Sequence, residues 1–485
     1  MARDWTKGNI FHNLLRLSWP MMVTNVVMIL GPTIDMLWVG RLGSDSLAVF
    51  GVAGLPTMLV MGSTIGLIMG MRAMVARYVG AGDIQGANHV AQQAFVISAV
   101  FSAAAALVGI FFTEEILGLF RLEADVVALG GTYLRIMLIS TAPMIFRFMA
   151  EGIMQASGDA DTPMVISVVY RVVHIVLAPF LILGWWIFPT LELAGVGVTN
   201  AISQTLGMMF SLWCLFGGRS VYFNLAGWRR RLKSRPDASS PAPEDDASSL
   251  ALIRFGPARL RLSLRDFRVD TDVIWRIVKV GLPAMVSNMQ RGLSQTVLVF
   301  FMVPYGTLAV AAHTIAQRLE FFMFMPGVSF GTAAATLVGQ NLGAGQPDRA
   351  EKSTWLAAGT VTGVLIVISL AILFWAENVA GIFNTEPELL ALAGTFLRIA
   401  VVAYLAFPVT TVFMSALSGA GDTLPPMVVS LVTVWLVVLP LALFLPNVAD
   451  LGVYGVRWAM VSGPVLGVIS YVVYFRLGHW KRKKV

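Results

Sequence analysis

Leu17-Ser18-Trp19-Pro20, near the start of the chain, is answered by Val280-Gly281-Leu282-Pro283. The same offset of 263 residues carries Val79-Gly80-Ala81-Gly82 onto Leu342-Gly343-Ala344-Gly345, Tyr133-Leu134-Arg135-Ile136 onto Phe396-Leu397-Arg398-Ile399, and Gly158-Asp159 onto Gly421-Asp422. Landmarks this far apart keep one spacing only in a duplicated chain. A duplicated apolar chain predicts two lobes around a shared axis. Many secondary transporters are built from such repeats, with the substrate site between them.

Between the landmarks the sequence is apolar. Its 485 residues are 57% hydrophobic and 13% charged, with a mean hydropathy of +0.77, whereas a soluble domain carries about 25% charged residues. Runs such as 164–188, 355–375 and 427–445 exceed the ~18 residues that mark a bilayer-spanning helix. Six spans per half are predicted, at 13–40, 47–71, 88–112, 127–156, 163–185 and 193–216, then 275–302, 308–337, 350–375, 390–417, 425–446 and 452–475. Barrel strands would be shorter and alternating. The fold expected is therefore an all-α polytopic membrane protein, with twelve transmembrane helices in two pseudo-symmetric six-helix lobes around a central cavity. Residues 1–216 form the first lobe, 217–274 a linker, and 275–485 the second lobe with a basic tail.

The distribution of Lys and Arg sets the orientation. Arg3, Lys7, Arg16, Arg72, Arg77, Arg349, Lys352 and the tail Arg476, Lys481, Arg482, Lys483 and Lys484 fall on the side of the termini, as does the central linker. Arg41, Arg121, Arg135, Arg398 and Arg457 fall in or beside the opposite loops. Both termini are expected in the cytoplasm, in a bacterial inner membrane. The net charge of +7 reflects basic residues that flank spans, which points to membrane lipids as neighbours rather than to nucleic acid. No signal peptide is evident. One cysteine, Cys214, excludes an internal disulfide and a cysteine metal cluster. The linker's Trp228-Arg229-Arg230-Arg231 and Ser239-Ser240-Pro241-Ala242-Pro243-Glu244-Asp245-Asp246 read as a solvated tether. The alternation of Leu260, Leu262 and Leu264 with polar residues predicts a short strand or an interfacial segment.

Ionisable residues at membrane depth need partners or a water-filled cavity. Those at that depth are Asp35, Arg147, Glu151, Arg171, His174, Arg291, Arg318 and Glu320. Asp35 follows Gly31-Pro32, and proline leaves a backbone carbonyl without its helical donor. A carboxyl in a dry bundle favours its neutral form, which suits reversible protonation. Arg147 and Glu151 are four apart and share a helix face, as do Arg171 and His174, three apart. Glu151 is expected to accompany Arg171 as well. In the second half the offset places Leu298 opposite Asp35. That half instead carries Gln290, Arg291 and Gln295, with Arg291 and Glu320 as an expected pair and Glu320 as a candidate contact for a substrate cation. The 25 Met, 29 Phe and 13 Trp residues fit an adaptable cavity; Met21, Met22, Met28, Met285 and Met289 are placed near the lobe interface by symmetry.

The paired Gly-Ala-Gly and Gly-Asp landmarks, with Asp35-Met36-Leu37-Trp38-Val39-Gly40-Arg41-Leu42-Gly43, resemble the multidrug and toxic compound extrusion (MATE) family over nearly the whole chain outside the linker. Arg318-Leu319-Glu320-Phe321-Phe322 resembles its DinF-like branch. The resemblance implies a twelve-helix antiporter that exports cationic or amphipathic organic compounds and drugs, driven by H+ or Na+. It makes Asp35 the coupling-ion residue. Where the branch has Asn-x-x-x-Asp-Pro, this chain has His174-Ile175-Val176-Leu177-Ala178-Pro179. His174 takes the Asn position, Ala178 replaces the second carboxylate, and Asn200 takes the position of a family Thr. Na+ prefers several oxygen ligands and His titrates near neutral pH, so H+ coupling through Asp35 and His174 is expected. Na+ coupling at Asp35 and Asn200 is the alternative. A lipid-linked-precursor flippase, favoured by Arg147, Arg171 and Arg291, is another. A monomer without cofactor or bound metal is expected. The Gly-Ala-Gly tetrads lack the Gly-Lys-Ser/Thr of a nucleotide loop, which argues against ATP as the driving force. His-Glu-x-x-His is absent from the sequence and the five His residues are scattered, which argues against an enzyme.

Overall fold

The structure, a computed structural model, describes residues 4–118, 124–223, 253–265, 267–383, 386–448 and 450–483. The first half contains α1 (Ile10–Val39), α2 (Ser44–Ala81), α3 (Ile84–Phe111), a short α4 (Thr113–Gly118), α5 (Ala124–Ile139), α6 (Thr141–Ser157), α7 (Asp161–Leu183) and α8 (Glu192–Gly217). The second contains α9 (Thr271–Phe300), α10 (Gly306–Gly343), α11 (Pro347–Ala380), α12 (Pro387–Gly419), α13 (Leu424–Leu431), α14 (Leu439–Phe444) and α15 (Val453–Leu477). A π-helical turn, Val432–Val438, fuses α13 and α14 into one span. Ser140 joins α5 and α6 into another. Ten stretches are long and apolar enough to cross a membrane, and one of these, Thr271–Gly343, holds both α9 and α10. With α8, the described residues contain the twelve spans expected. The linking strands β1 (Arg219–Phe223) and β2 (Ile253–Pro257) pair antiparallel.

The repeat is legible in the backbone. Gly158 and Gly421 end α6 and α12 in the left-handed region, at φ +95° and +82°, where glycine has no steric penalty. The Asp159 and Asp422 amides then donate to the Met154 and Leu417 carbonyls, both at 2.9 Å, closing the helix ends in the same way. At the opposite face Arg135 pairs with Glu114 at 3.5 Å and Arg398 with Glu377 at 3.1 Å. The offset of 263 carries one pair onto the other.

The two glycines of each Gly-Ala-Gly tetrad divide their labour between a turn and a helix crossing. Gly82 and Gly345 do turn, at φ +81° and +70°. Gly80 and Gly343 lie inside α2 and α10, where the two helices cross. A Cβ on Gly80 would lie 2.0 Å from the Gln340 carbonyl oxygen, and one on Gly343 2.0 Å from that of Arg77. Residues 77 and 80 correspond to 340 and 343, so the contact maps onto itself and marks the pseudo-twofold axis.

Around this crossing the termini-bearing face is closed. Gln340 donates to the Ala156 carbonyl at 2.8 Å. Gly70 abuts Ile277 and Gly281. Arg77 donates to the Lys483 carbonyl, and Lys483 pairs with Asp422 at 3.1 Å. The linker takes part. Leu260 and Leu262 are 2% and 1% exposed within the first lobe's core, whereas Leu264 is 58% exposed. Arg259 donates to Gln340 and to the Val79 carbonyl, each at 3.2 Å. The expected strand thus lies at 253–257, and 258–265 is a docked strap rather than a free tether. The stretches Trp228–Arg231 and Ser239–Asp246, with Arg121 and Lys484, lie outside the described residues.

Toward the other face the lobes part. Met58 still approaches Gly292, at 3.6 Å from a Cβ built there, but a Cβ on Gly51 or Gly54 would meet nothing within 4 Å. Leu55, Met58 and Leu59 on α2 are exposed, as are their counterparts Arg318, Phe321 and Phe322 on α10. α1 bridges the lobes: Leu14, Leu17 and Met21 pack into the second lobe's core with Phe330 and Phe413. Met285 and Met289 meet α2 at Gly66 and Ser63.

Overfilling a tight helix crossing costs about 1–3 kcal/mol or more. Gly80→Leu and Gly343→Leu should each lower the thermal unfolding midpoint of purified protein, while Gly51→Leu should leave it unchanged.

Candidate functional site

α1 and α7 run side by side, and each presents two residues to the other. From α7 come Arg171 and His174, one helical turn apart. From α1 come Gly31 and Asp35, also one turn apart. His174 Nε2 lies 2.8 Å from Asp35 Oδ1. Asp35 is 7% exposed and His174 1%. The second ring nitrogen, Nδ1, is buried without a partner among the described residues. A buried polar atom left unsatisfied is costly, so this nitrogen remains open to a further hydrogen bond.

Arg171 explains the Gly31-Pro32 dipeptide. Pro32 has no amide to donate to the Met28 carbonyl. Arg171 supplies the missing donors, with Nε 3.1 Å from the Val27 carbonyl and Nη2 3.4 Å from that of Met28. Its guanidinium fills the space that Gly31 leaves: a Cβ there would lie 1.8 Å from Nη1. The expected Arg171–Glu151 association is therefore replaced by a carbonyl clamp. Glu151 instead pairs with Arg147 at 2.6 Å. Arg147 also donates to Gln204 at 2.8 Å, and its guanidinium lies 4.3 Å from the Phe148 ring centroid and 4.2 Å from that of Tyr170.

In the second lobe Glu320 pairs with Arg457 at 2.5 Å, not with Arg291. Sequence reasoning placed Arg457 beside a loop, but it is 2% exposed inside α15 and also meets His313 Nδ1 at 3.1 Å. The signal was present in the polar run of helix faces around His313 and Glu320, but Arg457 is distant in sequence and sits at a span's end, where a solvent-facing basic residue is ordinary. Arg291 turns inward, with the Met414 sulfur at 3.5 Å. Gln290 donates to Ser430 and Gln317 to Gln295. Asn200 reaches the Met137 sulfur at 3.5 Å rather than Asp35. Ala178 is fully buried in an apolar cluster. The second lobe has Leu298, Val434 and Val437 where the first has Asp35, Arg171 and His174.

At the closed end a cavity of about 40 Å³ lies between the lobes, lined by Met69, Arg72, Thr332, Thr336, Ser415 and Ser418. It has room for water but not for an organic ligand, whose pockets measure about 300–1,000 Å³.

The duplicated span architecture, with ion pairs sealed inside each lobe and a cleft between them, is that of a transporter. The MatE family model matches twice, at residues 20–180 and 283–444. The chain belongs to the MatE family. It is thus a multi-pass membrane transport protein and not an enzyme. It is 24% identical to the probable multidrug resistance protein YoeA of Bacillus subtilis, over 99% of this chain and 96% of that one. It is 22% identical to a FAD transporter of Shewanella oneidensis, over 96% and 94%. Among solved structures, an outward-facing multidrug resistance MATE transporter superposes with a TM-score of 0.84 at 21% identity, over 99% of this chain and 98% of that one.

Removing one member of a buried ion pair costs about 3–5 kcal/mol. Glu320→Gln, which strands Arg457, should therefore destabilise this MatE protein strongly in thermal unfolding, and the double change with Arg457→Met should recover most of the loss.

Proposed function

We propose that this MatE protein exports amphipathic organic compounds across a bacterial inner membrane in exchange for protons that enter at Asp35 and His174. The pair itself carries the reading. A single carboxylate faces a ring nitrogen at 2.8 Å, and an imidazole with a free second nitrogen can take and pass a proton. A Na+ site would call for several oxygens. Ala178 stands at the position where the family's second carboxylate is expected, and Asn200 is turned to a thioether. The names of the curated relatives support an efflux role.

The basic residues on the termini-bearing face support a cytoplasmic placement of that face, in which the parted ends of α2 and α10 open outward. In this state a proton reaches the α1–α7 groove from outside. Protonation of Asp35 or His174 changes the charge state of the contact that holds α1 to α7, next to the Arg171 clamp. α1 also packs against the second lobe through Leu14, Leu17 and Met21. A change at Asp35 is therefore felt at the lobe interface, where the closed face must open for substrate to enter.

Coupling energies of this kind are typically ~1–3 kcal/mol, or about 5–150-fold. In proteoliposomes an outward-to-inward pH gradient should drive efflux of rhodamine 6G or sulforhodamine B, and Asp35→Asn should reduce that drive by more than about tenfold. His174→Gln should shift the pH at which transport is half-maximal. Efflux driven by a Na+ gradient and indifferent to pH would overturn the proton reading.

A further inference from the structure

Each carboxylate at membrane depth is matched within its own lobe: Asp35 with His174, Glu151 with Arg147 and Glu320 with Arg457. Arginines outnumber them. Arg171 is held by backbone carbonyls and Arg291 by a thioether. Arg72, nearer the termini-bearing face, donates to Gln155 at 2.6 Å and has the Glu151 carboxylate as its charged neighbour, and its Nε is buried without a hydrogen-bond partner among the described residues. Arg318 makes no hydrogen bond or ion pair among the described residues and is exposed.

The direction in which Arg318 points follows from its helix. On α10, Ser329 receives the Asn25 amide of the first lobe at 2.9 Å, Thr336 donates to the Gln155 carbonyl and Gly343 abuts Arg77. These positions lie 11, 18 and 25 residues beyond 318, whole turns of 3.6 residues to within a fraction of a turn. Arg318 therefore shares the face that meets the first lobe lower down. At its own level the lobes have parted, so it faces the cleft. It sits 12 residues into α10 from Gly306, or roughly 18 Å at 1.5 Å per residue, which is mid-membrane. Its symmetry counterpart is Leu55. Farther along the same interface, Arg72 lines the closed-end cavity beside Thr332 and Thr336. Among the described residues the cleft-facing surface at membrane depth thus carries Arg318 and no carboxylate, while Arg72 lies nearer the closed, termini-bearing face.

We propose that this pathway selects organic anions, or zwitterions led by an anionic group, with Arg318 as the mid-membrane contact. An exposed guanidinium at that depth lacks a protein partner, and a carboxylate, sulfonate or phosphate on the substrate supplies it through charge-assisted hydrogen bonds. Phe321, one turn from Arg318, and Met58 across the cleft offer the apolar surface that an amphipathic skeleton needs. Glu320, the expected contact for a cation, is already neutralised by Arg457. The inference rests on the export reading above but concerns the substrate's charge alone.

The test compares two xanthene dyes of opposite charge, sulforhodamine B (anionic) and rhodamine 6G (cationic). Binding to purified full-length protein is read by fluorescence polarisation, and transport by pH-driven efflux from proteoliposomes. Wild type should bind and export sulforhodamine B in preference to rhodamine 6G. Arg318→Gln should weaken sulforhodamine B binding roughly tenfold, Arg318→Lys should restore much of it, and Arg318→Glu should reverse the preference. Because Arg318 is exposed and unpaired, the thermal unfolding midpoint should be the same in all three variants. Preference for rhodamine 6G in the wild type, or sulforhodamine B binding indifferent to Arg318, would overturn the anion assignment. Arg318-dependent binding without pH-driven efflux would uphold it and overturn the export reading instead.

Discussion

The crossing of α2 and α10 at Gly80 and Gly343 is the contact on which the rest of the molecule depends. The two helices approach to backbone distance because each sets a glycine against the other's backbone, at Gln340 and Arg77, and small residues are the usual means of close packing between membrane helices. Because the contact relates residues 77 and 80 to 340 and 343, it fixes the axis about which the lobes are arranged. It also fixes which face is shut. The linker strap, the C-terminal residues and the small water-sized cavity gather around it, while the ends of α2 and α10 away from it diverge. A transporter that alternates access must break this crossing to open the shut face, and the glycines make it a contact of backbone against backbone.

Electrostatics inside the lobes follow a second constraint. In hydrocarbon an unpaired charge is expensive, and each acid at membrane depth has been given a base, from a neighbouring helix for Asp35 and Glu320 and from its own helix for Glu151. Those pairs stiffen the lobes as bodies. Glu151–Arg147 joins Gln204 on α8, and Glu320–Arg457 ties α10 to α15. Motion is then left to the interface, which holds few interlobe ion pairs at that depth and, in Arg318, an arginine without an acid among the described residues. Arg171 shows how a surplus cation can be absorbed without an acid: the Pro32 ring leaves a carbonyl unpaired, and a guanidinium fits both the charge and the vacancy above Gly31.

Much of this was legible in the sequence because duplication and hydropathy are global signals. Twelve spans, the lobe pairing and the place of Asp35 next to Gly31-Pro32 all follow from spacing. Partners were less legible. Arg147 and Glu151 share one helix, so their pairing shows in the spacing itself. The Glu320 partner sits 137 residues away on α15, and nothing in a single sequence distinguishes Arg457 from an ordinary flanking arginine. Arg291 and Arg171 look like ion-pair members by residue type, yet a thioether and two carbonyls take them. The linker misled for another reason. Alternation at Leu260–Leu264 reflects a strap with one side against the lobe, and such a strap has the same pattern as a strand without needing a strand partner.

The divergence of the two halves bears on how coupling and substrate binding can coexist. Where the first lobe has Asp35, Arg171 and His174, the second has Leu298, Val434 and Val437, the last two within a π-helical turn. Where the second has Arg318, the first has Leu55. A common backbone plan therefore carries its buried Asp35–His174 pair in one lobe and the exposed Arg318 in the other. Linkage does not require the two to touch; it requires that both bias the same equilibrium. α1 is the element positioned to do so, since its one end holds Asp35 against α7 and its other end lies in the second lobe's core. A proton arriving in the first lobe and a charged substrate leaving against the second would then act on one rigid-body rearrangement, each through its own half of the duplicated scaffold.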